Sequence, residues 1–273
     1  MKSKINLKNL FELQNKTVIL TGSAGRLGTR FAHVLSSAGA NVILVDIQNK
    51  KNLSLAKTLQ KKYHTKPMAV NIDINQEKEV KYLTKIVLKK FKKIDILVNN
   101  AHYVERNDPQ KNSNFENYPT SLWEKMTSDN LRGLFLCSKE IGKIMSKQNK
   151  GVIVNISSIH GIVGADQRIY GKSKLNSPVT YAVFKGGLVN MTRYLAAYWQ
   201  GKNIRVNTLT LGGVFDKQLH KDKSFVKKYS EKTILGRMAK KEDYDGSLLF
   251  LASDASSYMT GSNLIIDGGW TAV

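Results

Sequence analysis

Short, almost wholly apolar runs alternate with amphipathic stretches along the whole chain, and this alternation constrains the fold more than any other feature. Thr17-Val-Ile-Leu20 reads as a buried strand, followed by the glycine-rich turn Thr21 to Gly28 and by a stretch from Thr29 to Ala38 with helical spacing. A second apolar run, Asn41 to Val45, ends at Asp46, and the unit repeats as helix about 51–63, strand about 67–72, helix about 76–91 and strand Ile94 to Val98. The second half continues with a helix from about Ser121 to Lys147, its start marked by a capping box Ser121-x-x-Glu124. Strand Gly151 to Ile156, a polar loop at about 160–178, a helix from about Val179 to Gln200 and strand Ile204 to Thr208 come next. A loop and helix near 212–230, a helix at about 241–252 and strand Asn263 to Ile266 close the count.

Strands that are apolar on both faces need cover on both faces, which alternating helices supply in a parallel sheet. The expected fold class is α/β: a single doubly wound Rossmann-fold domain over 1–273, with a seven-stranded parallel sheet and helices on both faces. A 41% hydrophobic fraction and only four prolines give enough apolar side chain for such a core.

Other classes fall away on simple grounds. Cys137 is the one cysteine, so no internal disulfide forms, and no Cys/His cluster has zinc spacing; a reduced compartment and no metal are expected. The apolar runs fall far short of the roughly 20 residues that cross a bilayer, and Lys and Asn interrupt the N-terminus before a signal-peptide core. A cytoplasmic protein with no membrane partner is the expectation. Forty-three Lys+Arg against 21 Asp+Glu leave a formal charge of +22, a field that attracts anions. The basic residues are scattered pairs such as Lys50-Lys51, Lys61-Lys62 and Lys89-Lys90, without interleaved aromatics, so no nucleic-acid partner is expected.

The first β-α turn, Thr21-Gly22-Ser23-Ala24-Gly25-Arg26-Leu27-Gly28, offers small residues that let backbone approach a pyrophosphate at a helix N-terminus. Gly22, Ser23, Arg26, Leu27 and Gly28 are therefore candidate cofactor residues; the other reading of the turn is a tight strand-to-helix connection. Asp46, 24 residues after Gly22, stands where a carboxylate accepts both ribose hydroxyls of NAD and repels a 2′-phosphate. That favours NAD over NADP, with Arg26, Lys50 and Lys51 standing against it and a helix N-cap as the other use of Asp46. Asp73 with Ile74 suits the adenine edge, Asn100 and Ala101 the end of the fourth strand, and Gly212 and Val214 the stretch after the sixth.

Tyr181 and Lys185 are four apart at the start of a helix and share one face. A lysine charge about 4 Å from a phenol oxygen interacts by roughly 4 kcal/mol, enough to draw the phenol from about 10 towards neutrality. Such a phenol exchanges a proton with an alcohol or carbonyl while hydride moves to or from nicotinamide. A second Tyr-x-x-x-Lys, Tyr170 with Lys174, lies in a Gly/Lys/Ser/Asn/Pro loop; Tyr181 is preferred because it opens the apolar helix. Upstream, Ser157-Ser158 ends a strand, and one of the two hydroxyls is expected to bond the reacting oxygen.

The combined pattern resembles the short-chain dehydrogenase/reductase family over nearly the whole chain. The resemblance places the family's hydroxyl on Ser158, its proton-transferring tyrosine on Tyr181 and its lysine, which also positions the nicotinamide ribose, on Lys185. It places the asparagine of Asn-x-x-Gly-x-Phe, which supports a proton relay, on Asn130. Tyr258-Met-Thr-Gly261 to Asp267-Gly268-Gly269 looks like the family's C-terminal signature. The chain departs at Arg26, where a glycine is usual, at His102 after Asn-Asn-Ala, and at Leu211 where a proline is usual. Family members form dimers or tetramers, so a homo-oligomer is implied.

Segments about 102–120, 159–180 and 212–230 are the expected substrate loops. Arg168 and Lys172, with Lys174, Ser173 and Ser177 nearby, suit a phosphate or sugar hydroxyls, and His102 and His160 are further candidate substrate contacts. The stretch Ser177 to Gly187, followed by Arg193 to Trp199, is similar to members tied to flagellin modification and legionaminic-type pathways. The expected function is an NAD-dependent oxidoreductase acting on an anionic sugar derivative, a sugar phosphate or nucleotide sugar. Two other readings stay open: an NADPH-dependent 3-oxoacyl carrier-protein reductase, and a non-enzymatic dinucleotide- or nucleic-acid-binding protein.

Overall fold

Alternate side chains of each central strand enter different cores, and that is what places helices on both faces. In the computed structural model, which describes residues 7–103, 105, 108–171 and 176–273, the strands are β1 (Thr17–Thr21), β2 (Asn41–Asp46), β3 (Met68–Asn71), β4 (Ile96–Asn99), β5 (Gly151–Ser158), β6 (Ile204–Leu211) and β7 (Asn263–Ile266). Val18 and Leu20 of β1, Val42 and Leu44 of β2 and Val154 and Ile156 of β5 pack in one core. Ile19, Ile43, Val45 and Ile153 from the same strands pack in the other.

The helices are α1 (Leu7–Phe11), α2 (Arg26–Ser37), α3 (Asn49–Tyr63), α4 (Glu77–Phe91), α5 (Thr120–Gln148), α6 (Val179–Tyr198), α7 (Lys223–Glu231) and α8 (Asp245–Ala252). Helices α2, α3 and α8 cover the first core with Phe31, Leu35, Leu55, Leu59 and Leu248. Helices α4 and α5 cover the second with Val80, Leu83, Leu136, Ile141 and Met145.

All seven strands are parallel in the order β3-β2-β1-β4-β5-β6-β7. The order reverses between β1 and β4, which opens a crevice at their C-terminal ends; in sheets of this kind ligands bind there. The fold is the single doubly wound domain that the alternating pattern predicts. Differences lie at element ends. Strand β6 runs on to Leu211 because Thr208 and Thr210 are buried in the ladder. The expected capping box does not form: α5 starts at Thr120 after Pro119, which puts Ser121 inside the first turn, where it cannot cap.

Candidate active site

The glycine turn is shaped by what a side chain would strike. Gly22 has φ +65°, and a Cβ there would lie 2.7 Å from Ala101 Cα; one on Gly28 would lie 2.0 Å from the Gly22 carbonyl oxygen. Thr21 Oγ1 accepts the N–H groups of Asn100 and Ala101, both at 3.1 Å, and Asn100 Nδ2 donates to the carbonyls of Thr21 and Gly22 at 3.0 and 3.1 Å. The turn and the end of β4 are thus one unit. Arg26, Leu27 and Gly28 open α2, where the first N–H groups have no intrahelical acceptor and form the positive end of the dipole.

Ser23 and Val214 sit differently from expectation. The Ser23 hydroxyl donates to Asn52 Oδ1 at 2.7 Å and its N–H to the Val45 carbonyl at 3.3 Å, so the fully buried residue braces the turn from inside. Val214 is buried in the core beneath the crevice. Ile74 fills the space over Gly133 of α5, where a Cβ would lie 2.7 Å from its Cδ1. Gly212 lies close against Asp267, with its carbonyl held by the Tyr244 hydroxyl at 3.0 Å.

Asp46 ends β2 nearly buried and accepts the Ala24 N–H and the Gln48 N–H, each at 2.9 Å. Gln48, not Asp46, holds the N-cap position of α3, without a side-chain cap. Asp73 lies two residues beyond β3 and accepts the Asn75 N–H at 2.9 Å. At Asp73 a cavity of about 470 Å³ is lined also by Asn71, Ile72, Glu79, Tyr82 and Ile47, the residue after Asp46. Arg26 does not stand free above this surface: its Nη1 is 3.2 Å from Asp216 Oδ2, across the crevice.

The reacting end is built where β5 meets α6. Helix α6 begins after Pro178, which sets Tyr181 in its first turn and Lys185 one turn further on. Gly161 lets the helix come close, since a Cβ there would lie 2.7 Å from the Lys185 carbonyl. The serine pair is split in use: Ser157 Oγ donates to the Lys185 carbonyl at 3.1 Å, whereas Ser158 stands by the Tyr181 phenol and favours its ionised form. Lys185, 4% exposed, aims its Nζ at the Ile156 carbonyl at 2.8 Å and stands 5.7 Å from the centroid of the Tyr181 ring.

The expected acidification of the phenol is not what the geometry produces. Burial raises Tyr181 above its ordinary range, with Ser158 pulling it back only in part. Burial also lowers Lys185 to about 7, so that it carries only part of its charge at neutral pH.

Asn130 clamps the chain after β4: its Oδ1 accepts the Tyr103 N–H at 2.9 Å, and its Nδ2 donates to the carbonyls of Tyr103 and Met126 at 3.2 and 2.8 Å. His102 and His160 flank Tyr181, with ring centroids 5.1 and 6.0 Å away. Desolvation first, and then the Lys185 charge, lower His102, whose imidazole is neutral at physiological pH. Arg168 is not brought to the site. Its side chain is 85% exposed and holds Asp166 by two hydrogen bonds of 2.8 and 2.9 Å. Lys172 and Lys174 lie outside the described residues. Tyr170 closes a short 3-10 turn, Gln167–Tyr170, and stacks on Phe225 at 5.4 Å.

Several residues that shape the site gave no motif. Asn52 occupies an inward position of α3 beside Leu55 and Leu59, and its one signal is polarity in an apolar stripe. Asn99 Nδ2 donates to Ser138 Oγ and Asn155 Oδ1, Asn155 Nδ2 to Thr192 Oγ1, and Thr208 to Thr192, at 3.2, 2.9, 2.9 and 2.7 Å. This buried chain ties α5 and α6 to three strands.

A crevice at the sheet's switch point, a glycine cradle and a serine, tyrosine and lysine on adjoining elements define a dinucleotide-dependent oxidoreductase. The chain belongs to the short-chain dehydrogenase/reductase family. Residues 22–271 match a family model described as enoyl-(acyl carrier protein) reductase. The flagellin modification protein A of Campylobacter coli is 32% identical, over 94% of this chain and 99% of that protein. A short-chain dehydrogenase of Leptospira borgpetersenii solved with NAD+ shares 33% identity and a TM-score of 0.84, over 99% of both chains. A gluconate 5-dehydrogenase of Burkholderia cenocepacia solved with NADP and tartrate shares 25% identity and a TM-score of 0.84, over 98% of this chain and all 100% of the other. The protein is an oxidoreductase that uses a nicotinamide cofactor. Among the described residues no helix is long and apolar enough to cross a membrane.

Proposed function

We propose that the protein is an NAD-dependent oxidoreductase that moves hydride between nicotinamide and a hydroxyl or carbonyl of a sugar derivative. The observation that carries this is the meeting of Ser158, Tyr181 and Lys185 at the end of β5, on the same sheet edge as Asp46. The residues fit the dinucleotide: the turn around Gly22 and Gly28 has no room for a Cβ, and Asp46 stands beside the cavity at Asp73. Gly22, Arg26, Leu27, Gly28, Asn100, Ala101 and Gly212 would border it, with Ser23 and Val214 acting from beneath. NAD accepts or supplies the hydride when bound. Tyr181 holds the proton at its phenol oxygen, Ser158 steadies the substrate oxygen, Lys185 orients the phenol and the ribose, and Asn130 fixes the loop through Tyr103. NAD is favoured over NADP because Asp46 repels a 2′-phosphate and Arg26 is engaged by Asp216.

The anionic part of the substrate reading has weaker support, since Arg168 is spent on Asp166. A 3-oxoacyl carrier-protein reductase is the second reading, favoured by similarity to the 3-oxoacyl-[acyl-carrier-protein] reductase of Thermotoga maritima, 31% identical over 94% of this chain and 98% of that protein, and by the basic surface. Two measurements decide. Tyr181→Phe abolishes turnover while NAD still binds, and full activity in that variant overturns the assignment. The NAD and NADP dissociation constants, compared directly, favour NAD; tighter NADP binding overturns the cofactor choice and supports the carrier-protein reading. We also propose a cytoplasmic homodimer or homotetramer, because Phe135, Tyr194 and Tyr198 leave apolar surface on α5 and α6 exposed.

A further inference from the structure

Three polar side chains of the long loop between β5 and α6 form a chain that ends beside Tyr181. Ser177 Oγ is 3.0 Å from His160 Nδ1, and the same hydroxyl lies near the Tyr170 phenol, where it offsets part of the rise that burial causes. Ser177 is 9% exposed, and the Gln167 side-chain amide pins its backbone N–H and carbonyl at 3.1 Å each. His160 is held from the other side as well, its N–H donating to Ser158 Oγ at 3.4 Å. The Ser177 contact thus orients the ring at Nδ1 while Ser158 holds the backbone beneath it, and the ring stands edge-on to Tyr181, at 89°. With Nδ1 committed to Ser177, Nε2 is its one polar atom with no partner among the described residues.

The chemistry of that nitrogen selects its partner. Burial disfavours the imidazolium, so His160 reaches the substrate as a neutral ring. The serine hydroxyl can donate to Nδ1 or accept from it, so Nε2 is a donor in one arrangement and an acceptor in the other. A hydroxyl satisfies both, whereas a carboxylate, phosphate or ketone oxygen satisfies only the first. On the reaction proposed above, Tyr181 and Ser158 hold the reacting oxygen, which leaves His160 to a group on the next carbon.

We propose that His160, oriented by Ser177 and Tyr170, recognises a hydroxyl vicinal to the reacting carbon. This inference rests on the proposed oxidoreductase reading and makes the enzyme selective for α-hydroxy ketones and vicinal diols. Ser177 and Tyr170 are positioning residues. The tyrosine set aside as a proton donor thereby gains a use, and so does the length of the 159–180 loop.

The test compares kcat/KM with NADH for acetoin and for methyl ethyl ketone, which differ only in the vicinal hydroxyl. The wild-type protein prefers acetoin. His160→Leu collapses that preference by about tenfold or more, as expected when a hydroxyl loses its built partner. His160→Gln keeps part of it, because an amide both donates and accepts. Ser177→Ala and Tyr170→Phe erode it by a smaller factor, mostly through the KM for acetoin. General damage lowers both substrates together and leaves the ratio unmoved. Binding gives a readout without turnover: in Tyr181→Phe protein with NADH, the imidazole nitrogen resonances of His160 shift on adding acetoin and not on adding methyl ethyl ketone. A ratio unchanged in His160→Leu, with both ketones reduced, overturns this inference and leaves the reaction standing. Failure of the wild-type protein to reduce either ketone, with no shift of the resonances, overturns both.

Discussion

Tyr181 and Lys185 show how burial and charge compete at one site. The spacing predicts that the lysine acidifies the phenol, but Lys185 Nζ faces the Ile156 carbonyl and loses its proton near 7. Tyr181, raised by burial, carries its proton at neutral pH and is poised to give it to a carbonyl. Ketone reduction should therefore hold its rate through neutrality and fall in alkali, while alcohol oxidation climbs with pH, because it needs the phenol deprotonated. Initial rates in both directions across pH check this; an oxidation rate already flat below neutrality would contradict it. The same lysine has a stability signature. Its folded value, about 7, lies below its ordinary 10.5, so the unfolded chain holds the proton more tightly. The destabilisation this causes is complete below about 7 and fades as pH rises towards the ordinary lysine range. Lys185→Met should raise the melting temperature at neutral pH, lose that advantage in alkali and abolish turnover, a trade common at functional sites. Melting curves at the two ends of that range decide it.

At the scale of elements, strands were legible because apolar runs bounded by turns have few other uses, and the glycine turn because its spacing was intact. Tyr181 and Lys185 were legible because helical spacing alone places them on one face. What the turn rests on was hidden, since Asn52 is far from it in sequence and meets Ser23 only once α3 packs back on β2. The capping box failed for a related reason: Pro119 sets the start of α5, and Ser121 has no vote. The ion pair of Arg26 with Asp216 was hidden too, because Asp216 reaches it from the other side of the crevice. Asn52→Ala leaves the Ser23 hydroxyl and the Leu44 carbonyl without their buried partner. It should cost about 1–3 kcal/mol by denaturant unfolding and weaken NAD binding, although Asn52 need not touch the cofactor. Gly22→Ala should cost stability too, because alanine is strained at φ +65° and its Cβ meets Ala101. If the variant unfolds at the wild-type denaturant midpoint and binds NAD unchanged, the packing of turn against β4 has been misread.

For the whole molecule, the question is which part of the surface is finished. The +22 charge is spread thinly, and several described cations of the crevice and its loops are engaged: Arg26 with Asp216, Arg168 and Lys232 with Asp166, Lys125 with Glu105. The field can raise the local concentration of an anionic dinucleotide without any one lysine being a contact, so association should slow with added salt while the bound geometry stays the same. The unfinished surface is apolar. Tyr194 and Tyr198 stack on each other 5.9 Å apart and are 64% and 68% exposed, and Phe135 on the neighbouring helix is 51% exposed. In the proposed assembly, the stacked tyrosines of α6 and Phe135 of α5 are the surface that a second copy would cover. Because α6 carries Tyr181 and Lys185, covering its outer face would also stiffen the reacting end. Tyr194→Glu combined with Phe135→Glu should shift the protein to a monomer in light scattering and reduce kcat more than NAD affinity, since the glycine turn lies on other elements. A double variant that stays assembled, or a wild-type protein that is monomeric at micromolar concentration, would remove α5 and α6 from the interface.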